Sequence, residues 1–148
     1  MASERTSILF RAPARGVGRR DLLAFARRLE RDVAHGRPFC CLISGDNELR
    51  RLNKQFRRRD YATDVLSFPH DPGTPQYLGE LAISLDRARA QAAEFGHGVG
   101  DEIRILMLHG VLHLIGLDHE RDNGQMARVE GLWRRRLGLP SGLIERAS

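Results

Sequence analysis

Three of the six histidines lie within eleven residues, in the pattern H-x-x-x-H-x-x-G-x-x-H. His109 and His113 are four residues apart, so on a helix their imidazoles lie one above the other on the same face. Gly116 can take a left-handed conformation that ends the helix, and the chain can then double back to bring His119 to the same point. Three nitrogen ligands with a fourth position open are the donor set of a catalytic zinc site.

The segment around the first two histidines, from Ile103 to Ile115, is strongly apolar. A lone histidine on an apolar helix is usually a core residue with a satisfied hydrogen bond, but two imidazoles at this spacing are costly to bury without partners. A metal ion removes that cost, because neutral imidazole is a good metal ligand. The sequence therefore predicts that His109, His113 and His119 bind one Zn²⁺ ion.

Three histidine ligands leave room for a water molecule, whose pKa zinc lowers to roughly 7, so hydrolysis is the predicted reaction class. The histidine spacing also matches that of the metzincin proteases, which carry their general base, a glutamate, at the position of Gly110. A peptidase built on this chain would lack that base. Asp118, next to the third histidine, is a candidate base or a hydrogen-bond partner for a ligand, and a simple turn residue is an equal alternative.

A second cluster places four cations, Lys54 and Arg57–Arg59, within six residues, shortly before a predicted strand. Arginine side chains bind phosphate oxygens bidentately, although a charge run is more often a solvated face. Phe56 and Tyr61 could stack on nucleobases, but Phe56 also fits a core position. Phosphate binding is one of two interpretations that the cluster allows.

Charge is distributed unevenly along the chain. Residues 1–59 carry 15 basic and 6 acidic groups, residues 60–133 carry 5 and 12, and residues 134–148 carry 4 and 1. Basic segments that flank an acidic, metal-binding half suit an anionic polymer such as a nucleic acid. All basic residues except Lys54 are arginine, however, and a GC-rich genome would produce the same bias.

The two cysteines, Cys40 and Cys41, are adjacent in an apolar run, where neighbouring side chains on a strand point to opposite faces. We expect free thiols and a reducing, cytoplasmic location. Residues 1–11 lack the apolar core of a secretory signal, and no apolar run is long enough to cross a membrane. A chain of 148 residues fits a single domain over 1–148.

The expected fold is α+β, with a small mixed sheet of about four strands packed with about five helices and a zincin-like, metal-binding central helix. That helix, over residues 101–115, is apolar nearly all round and should be buried. The predicted strands are 8–10, 39–44, 65–68 and 78–84, and the other predicted helices are 21–35, 46–56, 86–95 and 122–137.

The two clusters together resemble a known family. The segment L-N-x-x-[FY]-R-x-x-D-x-x-T-[DN]-V-L-S-F-P, which begins at Leu52, and the later H-G-x-L-H-L-x-G-x-D-H are similar to motifs of the YbeY family of bacterial rRNA maturation factors. Residues 78–84 and the pair Gly96-His97 also match. The resemblance runs from about Cys40 to His119, and it extends more loosely to both ends.

The resemblance implies that His109, His113 and His119 bind zinc. It also implies that Arg57 matches the family's functionally important arginine near the metal, where it would hold phosphate or stabilise developing charge. The implied activity is a single-strand-specific endoribonuclease that acts in 16S rRNA maturation and ribosome quality control, in association with the small ribosomal subunit. Leu117 stands where the family usually has tyrosine, so no role of that hydroxyl carries over.

Two alternatives remain beside the endoribonuclease. The chain could be a ribosome-assembly factor that binds RNA and uses the metal only to hold its fold, since a three-histidine site can serve either purpose. A metalloprotease is the less favoured alternative, because Gly110 stands where the base would be.

Overall fold

A computed structural model describes residues 5–71, 73 and 76–147, which form four strands and six helices. Residues 1–4, part of the segment expected to lack a secretory signal, lie outside this range. The strands are β1 (Ser7–Phe10), β2 (Phe39–Ser44), β3 (Val65–Pro69) and β4 (Gly79–Ser84). The helices are α1 (Arg19–Asp32), α2 (Asp46–Arg57), α3 (Leu85–Phe95), α4 (Val99–Leu114), α5 (Gln125–Leu137) and α6 (Leu143–Ala147).

The four strands form one mixed sheet in the order β1-β2-β4-β3, which confirms the predicted α+β class. β1 and β4 are parallel to β2, whereas β3 runs antiparallel to β4 and forms one edge of the sheet. In the register of β3 and β4, Leu66 lies opposite Ala82 and Ser67 lies opposite Leu81.

Side chains alternate between the two faces of this sheet, as the pleat requires. One face contributes to the main core, which it shares with α1, α3 and α4, and the other packs a smaller cluster against α2. Sheet residues of the main core are Phe39, Cys41, Ile43, Leu81 and Ile83. The smaller cluster consists of Leu49, Leu66 and Ala82, with Leu42, Leu52 and Phe68 packed against it.

Helix α4 is the central helix of the fold, as its composition predicted. Apart from the half-buried Arg104, every residue from Glu102 to Leu112 is buried. The helix packs close against the sheet at Gly110, where a Cβ atom would lie 2.7 Å from Leu81 Cδ2. Ser67 Oγ donates a hydrogen bond of 3.1 Å to the Gly110 carbonyl and ties α4 to β3.

The buried carboxylate of Glu102 fastens the first half of α4 to its neighbours. It accepts hydrogen bonds from both Nη atoms of Arg146 on α6 and one of 2.8 Å from Gln91 Nε2 on α3. His97 Nε2 lies 2.7 Å from Oε1 of the same carboxylate. Burial alone would raise the pKa of Glu102, but the hydrogen bonds from Arg146, His97 and Gln91 outweigh burial and hold it below its usual value.

Three details of the helices differ from the sequence prediction. The first helix ends at Asp32 and not at residue 35, because His35 and Gly36 take left-handed conformations with φ of 54° and 82°. The fifth helix begins at Gln125 and not at Asp122, because the Asp122 carboxylate accepts hydrogen bonds from the backbone N–H groups of Gly124 and Met126 and so caps the helix from outside. The short helix α6 is absent from the prediction, since its five residues are too few to show a periodic pattern.

The structure tests two further predictions, that the cysteines are free thiols and that no segment crosses a membrane. Cys40 and Cys41 are free, with Cys41 buried and Cys40 half-buried. Burial raises the pKa of the Cys41 thiol, which therefore stays protonated at neutral pH. Among the described residues, no helix combines the length and the apolar character that crossing a bilayer requires.

Replacing Glu102 by Gln is expected to lower the free energy of unfolding by about 3–5 kcal/mol at neutral pH, because Arg146 stays buried without its counter-charge. The fold lowers the pKa of Glu102, so its stabilisation is fully present above the ordinary glutamate pKa of 4.5 and is lost as the pH falls below it. Urea unfolding of both proteins should therefore show a difference that shrinks with acidification. A difference independent of pH would contradict this assignment.

Candidate metal centre

The end of α4 and the loop after it bring the three histidines together. His109 and His113 lie on one face of the helix, which ends at Leu114. Gly116 has φ of 105°, the left-handed region that favours glycine, and this conformation reverses the chain. The reversal places His119 beside the other two rings, as the spacing predicted.

The three imidazole rings form a nearly equilateral triangle. Ring centroids are 4.8 Å apart for His109 and His113, 5.1 Å for His109 and His119, and 5.2 Å for His113 and His119. One ligand nitrogen of each ring lies within 4.8 Å of the others, so the group could hold a metal ion. His109 is buried, His113 is half-buried and His119 is exposed, so the triangle opens toward solvent on one side.

The local electrostatics favour the neutral, metal-binding form of the central ring. Burial lowers the pKa of His113, and the neighbouring His109 and His119 lower it further. The nearby Asp118 carboxylate opposes this shift without reversing it. His113 therefore carries an unprotonated nitrogen at neutral pH, as a ligand must.

A buried carboxylate on α5 orients the first histidine. Oε2 of Glu130 lies 2.7 Å from His109 Nδ1, and Glu130 is 2% exposed. Its other oxygen accepts a hydrogen bond of 2.8 Å from the Ile144 backbone N–H. With Nδ1 donating to Glu130, Nε2 is the nitrogen left free for a metal, the usual arrangement behind a histidine ligand.

Sequence reasoning missed Glu130. The available signal was its position four residues after the apolar Met126, on the same face of α5. A carboxylate on a buried helix face needs a partner, and the histidine pattern supplies one.

Asp118 lies at the edge of the site, where its carboxylate takes part in the turn. Oδ1 accepts a hydrogen bond of 3.1 Å from the Glu120 backbone N–H, and Oδ2 lies 3.7 Å from Arg121 Nε. Asp118 therefore has the turn role, which is one of the alternatives that the sequence allowed for it. Glu130, and not Asp118, supplies the carboxylate that contacts the His109 ring.

The three histidines line a cleft of about 1430 Å³, and Arg57 lines the same cleft. Arg57 is the last residue of α2 and is exposed. Arg58 follows in a left-handed conformation with φ of 56° and lies outside the cleft lining, whereas Arg59 lines it. The structure thus brings the two sequence clusters to one cavity.

At Gly110, the structure leaves no room for the glutamate that serves as general base in the metzincin proteases. This position faces the sheet, where an added Cβ would lie 2.7 Å from Leu81 Cδ2 and 3.3 Å from Ser67 Oγ. A glutamate there would be forced into the packed contact between α4 and the sheet and could not reach a reacting group in the cleft. The geometry therefore argues against the peptidase alternative.

Comparisons with known proteins find a matching family and relatives that carry its name. The sequence model of a family described as Endoribonuclease YbeY matches residues 21–137, a range that includes Arg57 and all three histidines. A relative of that name from Solibacter usitatus is 61% identical over 144 residues, which cover 97% of this chain and 95% of the relative. Another from Koribacter versatilis is 45% identical over 141 residues, covering 95% of this chain and 91% of the relative.

A solved structure shares the fold. The solution structure of a Thermotoga maritima protein aligns with a TM-score of 0.55 and 28% sequence identity. The alignment covers 90% of this chain and 96% of that protein.

Replacing Glu130 by Gln is expected to weaken zinc binding by about 10- to 100-fold, because a neutral amide holds and polarises the His109 ring less strongly than a carboxylate. Titration of metal-free protein with zinc against a chromophoric chelator measures the change. Asp118→Asn is the matched control, since it removes a carboxylate at the same site that bonds no histidine ring. Equal zinc affinity for wild type and Glu130→Gln would contradict the positioning role.

Proposed function

The chain belongs to the Endoribonuclease YbeY family, and we propose that it is a zinc-dependent endoribonuclease that cuts single-stranded RNA. The observation that carries the proposal is the convergence of His109, His113 and His119 in a cleft that also contains the exposed guanidinium of Arg57. Phosphodiester hydrolysis can use a metal ion that activates water and a cation that stabilises charge on the phosphate, and these residues could supply both.

The chemistry of the donors fits zinc. Three imidazoles with no thiolate among them suit zinc, and the half-open site leaves a coordination position for substrate or water. Zinc held by His109, His113 and His119 would act as a Lewis acid toward a phosphoryl oxygen and would activate water for attack. A structural metal would favour a closed site with four protein ligands, so the open site favours an enzyme over a purely RNA-binding assembly factor.

Three residues in or behind the cleft would have different roles in the reaction. Arg57 would bind two phosphate oxygens of the RNA backbone, fix the scissile phosphate and offset the charge that develops on it. Asp118 is the candidate general base, because it lies beside His119 in the cleft lining and has a partly exposed carboxylate. Glu130 would keep the His109 ring in place throughout, since it is buried behind the site.

We further propose that the substrate is 16S rRNA, processed in the cytoplasm on the small ribosomal subunit, and that residues 1–148 act as one domain. The support is the resemblance of the two sequence motifs to those of rRNA maturation factors. The excess of 24 Lys and Arg over 19 Asp and Glu residues is consistent with a polyanionic substrate.

Arg57→Ala is expected to reduce cleavage of single-stranded RNA by about 10²- to 10³-fold, as is typical when one preorganised electrostatic contact is removed. His113→Ala is expected to reduce cleavage at least as much, because it removes a ligand of the metal. Arg57→Ala should retain one zinc per chain, whereas His113→Ala should not. Gel-based cleavage kinetics and metal analysis of the purified proteins measure both effects.

Arg58→Ala is the matched control for the arginine variant, because it removes the same charge one residue away and outside the cleft lining. Its cleavage rate should stay close to that of the wild type. Full cleavage by the Arg57→Ala, His113→Ala double variant, free of contaminating nuclease, would rule out the proposed function.

A further inference from the structure

Two aromatic side chains stand exposed beside Arg57. Phe56 is 59% exposed and Tyr61 is 51% exposed, and among the described residues these are the two most exposed large apolar side chains. Both line the cleft that contains the three histidines. Of the two roles that the sequence allowed for Phe56, core and stacking, its exposure excludes the core. Exposed apolar side chains that line one cleft are typical of a ligand-binding surface.

Both rings are held in place by their surroundings. The Phe56 ring packs against Phe68 of β3 in a T-shaped contact, with centroids 5.3 Å apart and an interplanar angle of 65°, while 59% of Phe56 stays exposed. Asn53 Nδ2 donates a hydrogen bond of 2.9 Å to the Tyr61 carbonyl, and Arg59 Nη1 donates one of 3.3 Å to the Tyr61 hydroxyl. A ligand that stacks here would therefore lose little affinity to ordering the rings.

The loop that carries Tyr61 is itself tied back to α2. Asp60 pairs with Arg50 Nε at 2.7 Å, and the Arg59 backbone N–H donates to the Asn53 carbonyl at 3.2 Å. The left-handed residue Arg58 makes this reversal of the chain. Tyr61 is thereby placed near the end of the same helix that carries Phe56.

Three consecutive arginines, Arg57–Arg59, lie between the two rings along this segment, and this combination indicates the class of ligand. Arg57 and Arg59 line the cleft together with Phe56 and Tyr61. A cationic groove with stacking rings is the chemistry that binds single-stranded nucleic acids, with phosphates on the cations and bases on the rings. A base inside a duplex has both faces covered by its neighbours, so a base that stacks on a protein ring must be unpaired.

We propose that Phe56 and Tyr61 form a stacking site for unpaired nucleobases that flank the phosphate bound by Arg57. The site makes binding depend on bases with free faces and so selects single-stranded over duplex RNA. This inference rests on the proposed function and deepens it, because it assigns the single-strand preference to two side chains outside the metal centre. Arg57 holds the backbone and the two rings hold the bases on either side.

The test compares the binding of two fluorescently labelled oligonucleotides of equal length to metal-free protein, so that cleavage plays no part. One is a single-stranded adenosine-rich RNA, and the other carries abasic positions in its centre. The Phe56→Ala, Tyr61→Ala variant should bind the first RNA at least about tenfold more weakly, and its affinity for the abasic RNA should change little. Phe56→Trp and Tyr61→Phe keep a ring and should retain affinity.

Two further variants separate stacking from other effects. Arg57→Ala should weaken the binding of both oligonucleotides, since it removes a phosphate contact. Leu9→Ala removes an exposed apolar side chain, 47% exposed, on strand β1 at the opposite edge of the sheet from β3, and should leave both affinities unchanged.

The outcomes distinguish failure of this inference from failure of the proposed function. If the wild type neither binds nor cuts single-stranded RNA, the proposed function fails and the stacking site fails with it. If the wild type binds and cuts RNA but the double alanine variant keeps its preference for the RNA with bases, the stacking site alone is overturned. The aromatic pair would in that case be a surface for a protein partner.

Discussion

Burial of helix α4 against the sheet is the constraint on which the site depends. The helix is apolar on nearly all sides and lies in the core, with its backbone close to the sheet at Gly110. A helix held in this way cannot rotate without breaking the core, so His109 and His113 keep fixed positions. Glu102 near its beginning and Glu130 at His109 add hydrogen bonds that fix the same orientation.

The site combines a rigid side with a more exposed side. On the rigid side, His109 and His113 lie on α4 and the buried Glu130 holds the His109 ring, while the turn at Gly116 brings His119 to them. The ligand nitrogens therefore lie close together before any ion binds. On the exposed side, the end of α2 and the following loop present cations and aromatic rings to solvent. A long polyanion can enter from the exposed side while the reacting phosphate meets the rigid side, which is the division that a nuclease needs.

The sequence predicted the features that depend on local spacing. The three histidines and the central helix follow from helical periodicity and from the glycine that ends the helix. The contact between His109 and Glu130 was missed because the two residues lie 21 positions apart on different helices. Helical periodicity does not show which buried helix faces meet. Phe56 follows Leu49 and Leu52 at helical spacing, but it lies at the last turn of α2, where its ring contacts Phe68 and the residue stays 59% exposed.

His109, His113 and His119 are expected to share one ion and to leave one of its coordination positions open. X-ray absorption spectroscopy of the zinc-loaded wild-type protein identifies the ligands of that ion. We expect one zinc per chain with three imidazole nitrogens at about 2.0–2.1 Å and one further light-atom ligand from solvent. Sulfur in the first coordination sphere, or fewer than three imidazoles, would show that the three histidines do not share an ion in this way.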